Sequence, residues 1–95
     1  MELRDRLRTE VMRATWDDLA PHFARGALVV ADPALDLLDV GVAIARDDTD
    51  AVGGWLASAD VRRATDGDAA GWAEQGTTFQ VLILQPWVLA QPLPP

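Results

Sequence analysis

Apolar residues recur at helical spacing at the start of the chain. Leu3, Leu7, Val11 and Ala14 follow one another at three or four positions, with arginines between them. This spacing predicts an amphipathic helix over about 2–14, because positions three and four apart share one helix face.

A second helix is predicted to start directly afterwards. Thr15 suits the N-cap, and Asp18 three residues later completes a capping-box pattern. Pro21 falls near the first turn, where proline is tolerated best, and Gly26 suits the C-terminal stop. Residues 2–25 are therefore predicted to form a helical N-terminal part.

Directly after position 26, the apolar residues no longer follow the helical spacing of three or four. Ala27–Ala31 is short and continuous, which predicts a buried strand, and Asp32-Pro33 marks a turn. Residues 35–46 fit either a strand with apolar residues on one face or a helix with an apolar stripe. Gly41 costs a helix about 1 kcal/mol relative to alanine. We therefore predict a strand, and so a β-hairpin over about 27–46, with the helix as the alternative.

The second half of the chain predicts two more helices and a C-terminal strand. The first helix begins at Asp47 or Asp48 and ends near Ala59; after a short extended link, the second begins at Thr65 and ends at Gly76. Alternating apolar residues predict a strand over about 78–90, which Pro86 interrupts or places at a sheet edge.

These elements predict an α+β fold in which a small sheet packs against three or four helices. The 95 residues are enough for one domain, 1–95, and the proline-rich tail 91–95 is expected to fray.

The net charge of the chain disfavours some classes of binding partner. There are 15 acidic residues against 8 arginines and no lysine, for a net charge of −7. This balance argues against nucleic acid and anionic membrane surfaces, which both attract positive charge. The chain has no cysteine and begins with charged residues rather than an apolar signal segment. We expect a cytoplasmic protein.

Few residues of the chain suit catalysis. His22 is the only histidine and Ser58 the only serine, and Ser58 falls on a predicted helix rather than on a strained turn. Motifs for phosphate or dinucleotide binding are absent. We expect no cofactor, and we favour a protein that is not an enzyme.

Four polar residues form the first candidate site. His22 and Arg25 lie near a predicted helix end, where a positive charge is favoured, and could also clamp an anion. Asp36 and Asp39 lie among apolar residues, so we expect them to face solvent or to pair with Arg25 or Arg46. Together the four could bind a small ligand or a divalent cation, although no complete metal site is predicted.

Trp87 is a second candidate. The other three tryptophans fall on inward helix positions and are assigned to the core, whereas Trp87 follows Pro86 beside a strand whose edge is predicted to be open. Open edges favour pairing with other chains, including a second copy.

Several segments together resemble the bacterial family of uncharacterised small proteins called domain of unknown function 2288. The chain departs from the family's pattern at Ser58-Ala59-Asp60, where a glycine is expected after the helix. The resemblance covers about 3–91 and implies a small stand-alone bacterial protein, without assigning an activity, cofactor or catalytic residue. The segments that carry it are Trp16-x-x-Leu19 before Pro21-His22-Phe23-Ala24-Arg25-Gly26, Asp32-Pro33 with Leu35-Asp36-Leu37, Ala45-x-Asp47-Asp48, Trp55-Leu56, Thr65, Trp72, and Phe79 before Gln85-Pro86-Trp87-Val88-Leu89-x-Gln91.

These observations favour a non-enzymatic binding or regulatory protein that acts through protein–protein contacts as a homodimer. The alternative is a small-ligand or divalent-metal-binding protein with its site near His22, Arg25, Asp36 and Asp39. A third hypothesis is an acidic protein that covers a basic, nucleic-acid-binding surface on a partner.

Overall fold

The computed structural model describes residues 2–94, which form five helices and five strands. The domain predicted over 1–95 and the tail predicted over 91–95 thus include terminal residues outside the described part of the chain. In chain order the elements are α1 (Leu3–Glu10), β1 (Met12–Thr15), α2 (Trp16–Ala24), β2 (Leu28–Ala31), α3 (Leu37–Ala45), α4 (Thr49–Ser58), β3 (Val61–Arg63), α5 (Asp66–Gln75), β4 (Thr78–Leu84) and β5 (Trp87–Pro92).

The five strands form one mixed sheet in the order β1-β4-β5-β2-β3. β4 and β5 form an antiparallel hairpin that closes at the Leu84–Trp87 pair. β5 also pairs with β2 in parallel, with Leu28 opposite Val88. The last strand therefore lies at the centre of the sheet, while β1 and β3 lie at its edges.

Helices cover both faces of the sheet, because successive side chains of a strand point to opposite faces. Leu82 of β4 and Leu89 of β5 pack with Leu7 of α1 and Val40 of α3. The next positions along the same strands, such as Val81, pack in a second cluster with residues of α2. The α+β class is thus confirmed, as a three-layer arrangement with five helices rather than three or four.

The hairpin predicted over 27–46 is wrong, because residues 37–45 form α3. Asp36 caps this helix: its carboxylate accepts hydrogen bonds from the amides of Leu38 (2.8 Å) and Asp39 (3.3 Å). Gly41 lies where α3 crosses β4, and a Cβ there would lie 2.5 Å from Cδ2 of the buried Leu82, so a larger residue would force this side chain to move. The residue that favoured a strand in the sequence is the one that lets this helix approach the sheet.

Alanine substitutions at two helical glycines should therefore have opposite effects. Gly41→Ala should destabilise the protein by about 1–3 kcal/mol through overpacking against Leu82, less the helix-propensity gain. Gly54→Ala should stabilise it by about 0.5–1 kcal/mol, because nothing lies within 4 Å of the added methyl group. Urea denaturation measures both changes. Equal stability of the two variants would show that Leu82 moves away without cost.

The first helix is shorter than predicted. It ends at Glu10 instead of continuing to about 14, and residues 12–15 form β1. β1 pairs antiparallel with β4, placing Met12 opposite Val81 and Thr15 opposite Thr78. Pairing with a strand far along the chain outweighs the helical spacing of Val11 and Ala14, so residues 2–25 are only partly helical.

The tail predicted to fray begins inside β5. Gln91 is 4% exposed and its side-chain amide donates hydrogen bonds to the carbonyls of Asp32 (2.9 Å) and Leu35 (2.7 Å). Its carbonyl oxygen accepts a hydrogen bond from the side-chain amide of Gln80 at 2.9 Å. Gln91 thus holds the segment between β2 and α3 against the sheet.

The helix ends predicted from local signals are confirmed. Asp68 accepts from the backbone amide of Thr65, and its own amide donates to the Thr65 hydroxyl, which completes a capping box at α5. Thr15 and Asp18 form the equivalent pattern at α2. Ala59, after α4, has φ 64°, a left-handed conformation that costs a non-glycine residue roughly 1 kcal/mol. This is the segment in which a glycine was expected from the family resemblance.

Candidate functional site

Exposed apolar side chains cluster near the tip of the β4–β5 hairpin. Within residues 2–94, the large hydrophobic residues that remain exposed are Met12 (48%), Leu56 (55%) and Ile83 (43%). Ile83 lies just before the tip, beside the strand that carries Met12, and Leu56 lines a groove together with the tip residues Leu84 and Trp87. Each face of the sheet therefore presents apolar surface at this end.

The groove lies on the face covered by α3 and α4. It has a volume of about 730 Å³, within the range of about 300–1,000 Å³ typical of ligand pockets. One wall is formed by α4, which has no buried residue of its own, and the other by the hairpin tip and the sheet. Its apolar lining comes from Val29, Ile44, Val52, Leu56, Leu84 and Trp87.

Trp87 lies in this groove rather than on an open sheet edge. Its indole is half-buried, and the guanidinium carbon of Arg63 lies 5.0 Å from the ring centre. Cation–π stacking in this geometry favours keeping the arginine on the ring. The open edge predicted at 78–90 is wrong, because β4 pairs with β1 and β5, and β5 pairs with β4 and β2.

Carboxylates flank the groove at the start of α4. Asp47 and Asp48 line it, and Asp50 is exposed in the first turn of the helix. Asp48 caps α4 by accepting a hydrogen bond from the amide of Ala51 at 3.1 Å. The ion pairs described within residues 2–94 involve other carboxylates, so the negative charge of this rim is not neutralised by an arginine.

Arg62 contributes little positive charge to the groove. Its guanidinium donates two hydrogen bonds to the carboxylate of Asp68 in α5, on the opposite face of the sheet. The hydrogen bond from Arg62 holds the pKa of Asp68 below its usual value, with smaller contributions from Thr65. Arg63 is therefore the guanidinium that lies in the groove, and it is stacked on Trp87.

Met12 and Ile83 form a second surface, here called the tip patch. Both side chains point to the face that carries α2 and α5. Met12 lies opposite Val81 of β4, and Ile83 lies two residues after Val81 on β4, so all three share one face of the sheet. The outer edge of β1 has no strand beside it within residues 2–94. An apolar patch thus adjoins a row of unpaired backbone groups.

The first candidate site of the sequence is divided by the fold. His22 and Arg25 lie at the end of α2, where the side chains contact each other, and Asp36 and Asp39 lie at the start of α3. Because α2 and α3 pack on opposite faces of the sheet, the two pairs do not share a pocket.

Asp36 and Asp39 pair with a residue that the sequence did not indicate. Their partner is Arg4 of α1, rather than Arg25 or Arg46. The hydrogen bond to Asp39 raises the pKa of Arg4, and the more distant contact to Asp36 adds to this effect. The ion pairs hold α1 against α3, so a structural role accounts for both carboxylates.

The described part of the chain shows neither a metal-binding cluster nor a membrane-spanning helix. Within residues 2–94, no group of three or more His, Cys, Asp or Glu side chains is arranged to hold a metal ion. None of the helices in that range combines the length and hydrophobicity that a bilayer-spanning helix requires.

Comparison with known proteins finds a family model and a solved structure that each match most of the chain. The model of the family described as "Protein of unknown function (DUF2288)" matches residues 2–92. The chain is also similar to PA1075 from Pseudomonas aeruginosa, whose structure was solved in solution by NMR. The two are 35% identical with a TM-score of 0.85, and the match covers 94% of this chain and 82% of the other. None of the curated proteins matches the chain.

Proposed function

The chain belongs to the DUF2288 family of proteins of unknown function, and from that premise we propose that it is a non-enzymatic binding protein that acts through protein–protein contacts as a homodimer. The family membership confirms the resemblance found in the sequence and brings no activity with it. The proposal therefore depends on the surfaces of this chain.

The positions of the two residues best suited to nucleophilic catalysis support a non-enzymatic role. Ser58 ends α4, where its hydroxyl donates to the carbonyl of Trp55 and to the carboxylate of Asp60. His22 belongs to α2, on the opposite face of the sheet. A serine nucleophile needs a base within hydrogen-bond distance, and the single histidine of the chain lies on the other side of the sheet.

The observation that carries the homodimer is the tip patch beside the edge of β1. Two apolar side chains more than 40% exposed lie side by side there, next to backbone groups that another strand could pair with. The opposite edge is less suited to pairing, since β3 is three residues long and carries two arginines. Charged, short strands are a common way to protect an edge.

A second copy of the chain fits this edge by symmetry. Two β1 strands related by a two-fold axis would pair antiparallel and extend the sheet across both molecules.

Sedimentation velocity at tens of micromolar tests the dimer. We expect the wild type to sediment as a dimer and Ile83→Glu as a monomer, because a carboxylate at the tip patch would be buried on association. Leu56→Glu is the matched control: it places the same charge at an equally exposed apolar position away from the patch, and should leave the dimer intact. A monomeric wild type, or loss of the dimer in both variants, would refute the proposed interface.

A further inference from the structure

The groove beside α4 is a second surface, separate from the tip patch. We infer that it docks a segment of a protein partner in which an apolar side chain is flanked by lysine or arginine. This inference does not depend on the homodimer, because the groove and the tip patch lie on opposite faces of the sheet.

The apolar part of the inference comes from the groove walls. Val52 and Leu56 lie four residues apart on α4 and line the groove together. Leu56 is more than half exposed although it is a leucine, and it faces the half-buried Trp87 and Leu84 across the groove. An incoming apolar side chain would be covered by both walls, as when a helix or an extended peptide inserts its anchors into an apolar groove.

The basic part comes from the imbalance of charge at the rim. Asp47, Asp48 and Asp50 carry negative charge at one end, without an arginine paired to them within the described residues. Arg63 is engaged with the Trp87 ring, and Arg62 with Asp68. Arg63 keeps its positive charge on the ring, but the carboxylates of Asp47, Asp48 and Asp50 outnumber this one guanidinium that no carboxylate within residues 2–94 pairs with, so a cationic side chain beside the apolar anchor is favoured over an anionic one. The net charge of −7 adds to this preference.

The same geometry disfavours an anionic ligand such as a phosphate. The start of a helix binds anions through its free amides and its dipole. At α4 the carboxylate of Asp48 already accepts from the Ala51 amide, and Asp47 and Asp50 add further negative charge. The start of this helix therefore attracts cations.

A pair of designed peptides tests the inference on the full-length protein. Both are about twelve residues long, with leucines at helical spacing; one carries lysines beside the leucines and the other carries glutamates in their place. In ¹H–¹⁵N NMR titrations at low salt, we expect the lysine peptide to shift the amides of α4 and of the hairpin tip. We expect it to bind at least ten times more tightly than the glutamate peptide.

Three variants locate the binding site. Leu56→Ser should weaken binding of the lysine peptide at least threefold, because it removes an apolar part of the groove wall without adding a charge that attracts lysine. Ala57→Ser, at the next exposed position and outside the groove lining, should not weaken it. Asp47→Asn should also weaken binding, because it removes one of the carboxylates that attract the lysines. Asparagine tolerates the left-handed backbone at this position (φ 56°), so the substitution should not disturb the local structure. At 0.5 M salt the effect of the Asp47 substitution should shrink, because salt screens charge contacts, and the effect of the Leu56 substitution should persist.

Several outcomes would overturn the inference. Binding of neither peptide would show that the groove does not accept such a segment. Equal or tighter binding of the glutamate peptide would show that Arg63 rather than the carboxylates sets its preference. Shifts confined to the tip patch would place the contact elsewhere. Ile83→Glu should retain peptide binding, so failure of the homodimer and failure of the groove are distinguishable.

Discussion

Replacing Phe79 by alanine should destabilise the protein by about 3–5 kcal/mol, because it removes a fully buried aromatic side chain. Phe79 is fully buried on β4 and its ring meets Trp72 edge-on, with centroids 5.2 Å apart. Trp72 contacts Trp16, which contacts Phe23, so four rings in series join β4 to α5 and α2. Alanine would leave a cavity at one end of that series and remove one aromatic contact.

Urea denaturation followed by tryptophan fluorescence and by circular dichroism measures this loss. A domain of this size has a stability of roughly 5–14 kcal/mol, so the variant should lose a large share of it. Thr78→Ala, at the exposed neighbouring position, is the control and should change stability by less than about 0.5 kcal/mol. A loss below 1 kcal/mol for Phe79→Ala would mean that α2 and α5 collapse onto the vacated space.

Replacing Gln91 by leucine should cost about 2–4 kcal/mol, although leucine is apolar and of similar size. The substitution leaves the Leu35 carbonyl without its donor and the Gln80 side-chain amide without its acceptor, while the Asp32 carbonyl keeps only the hydrogen bond from the Leu35 amide. Each buried polar group left unpaired costs about 1–3 kcal/mol. The segment between β2 and α3 should also loosen, which hydrogen exchange at the Leu35 amide would report.

Gln80→Leu is the matched comparison for this effect. It removes the donor that Gln91 accepts from but leaves both carbonyls bonded, so we expect a cost of about 1 kcal/mol. Equal losses for the two variants would show that the pair of glutamines, rather than the carbonyls behind it, carries the stabilisation.

The features that the sequence predicted correctly depend on residues close together in the chain. The helix starts at Thr15 and Thr65 were predicted because cap and partner lie three residues apart. Gly76 ends α5 in a left-handed conformation (φ 63°), and this too is a local signal. Such signals act within one helical turn and need no knowledge of the fold.

The errors concern residues whose reason lies far along the chain. Gly41 was interpreted as opposing a helix because its propensity is poor, whereas the structure explains it by contact with Leu82, 41 positions later. Gln91 was assigned to a frayed tail because prolines surround it, but the two carbonyls to which its side chain donates lie more than 50 residues earlier. A pattern within a short window cannot identify such partners.

The candidate site was found only in part. Trp87 was singled out as a tryptophan beside an open edge, whereas the structure places it in the groove, next to strands that are paired on both sides. Arg63 and Leu56 were missed as groove residues, since stacking across the sheet and exposure on α4 depend on how the elements pack. The spacing of Val52 and Leu56 was the available signal, since it gives α4 an apolar stripe.

The central position of β5 has a consequence for how the protein is made. Every other helix and strand described here leaves the ribosome before β5, yet β5 joins the β1–β4 pair to the β2–β3 pair. A nascent chain ending before residue 87 holds two separate two-stranded pieces, and isolated two-stranded sheets are marginally stable. Folding of this domain is therefore largely completed after β5 has emerged, and until then the apolar faces of the earlier segments remain uncovered.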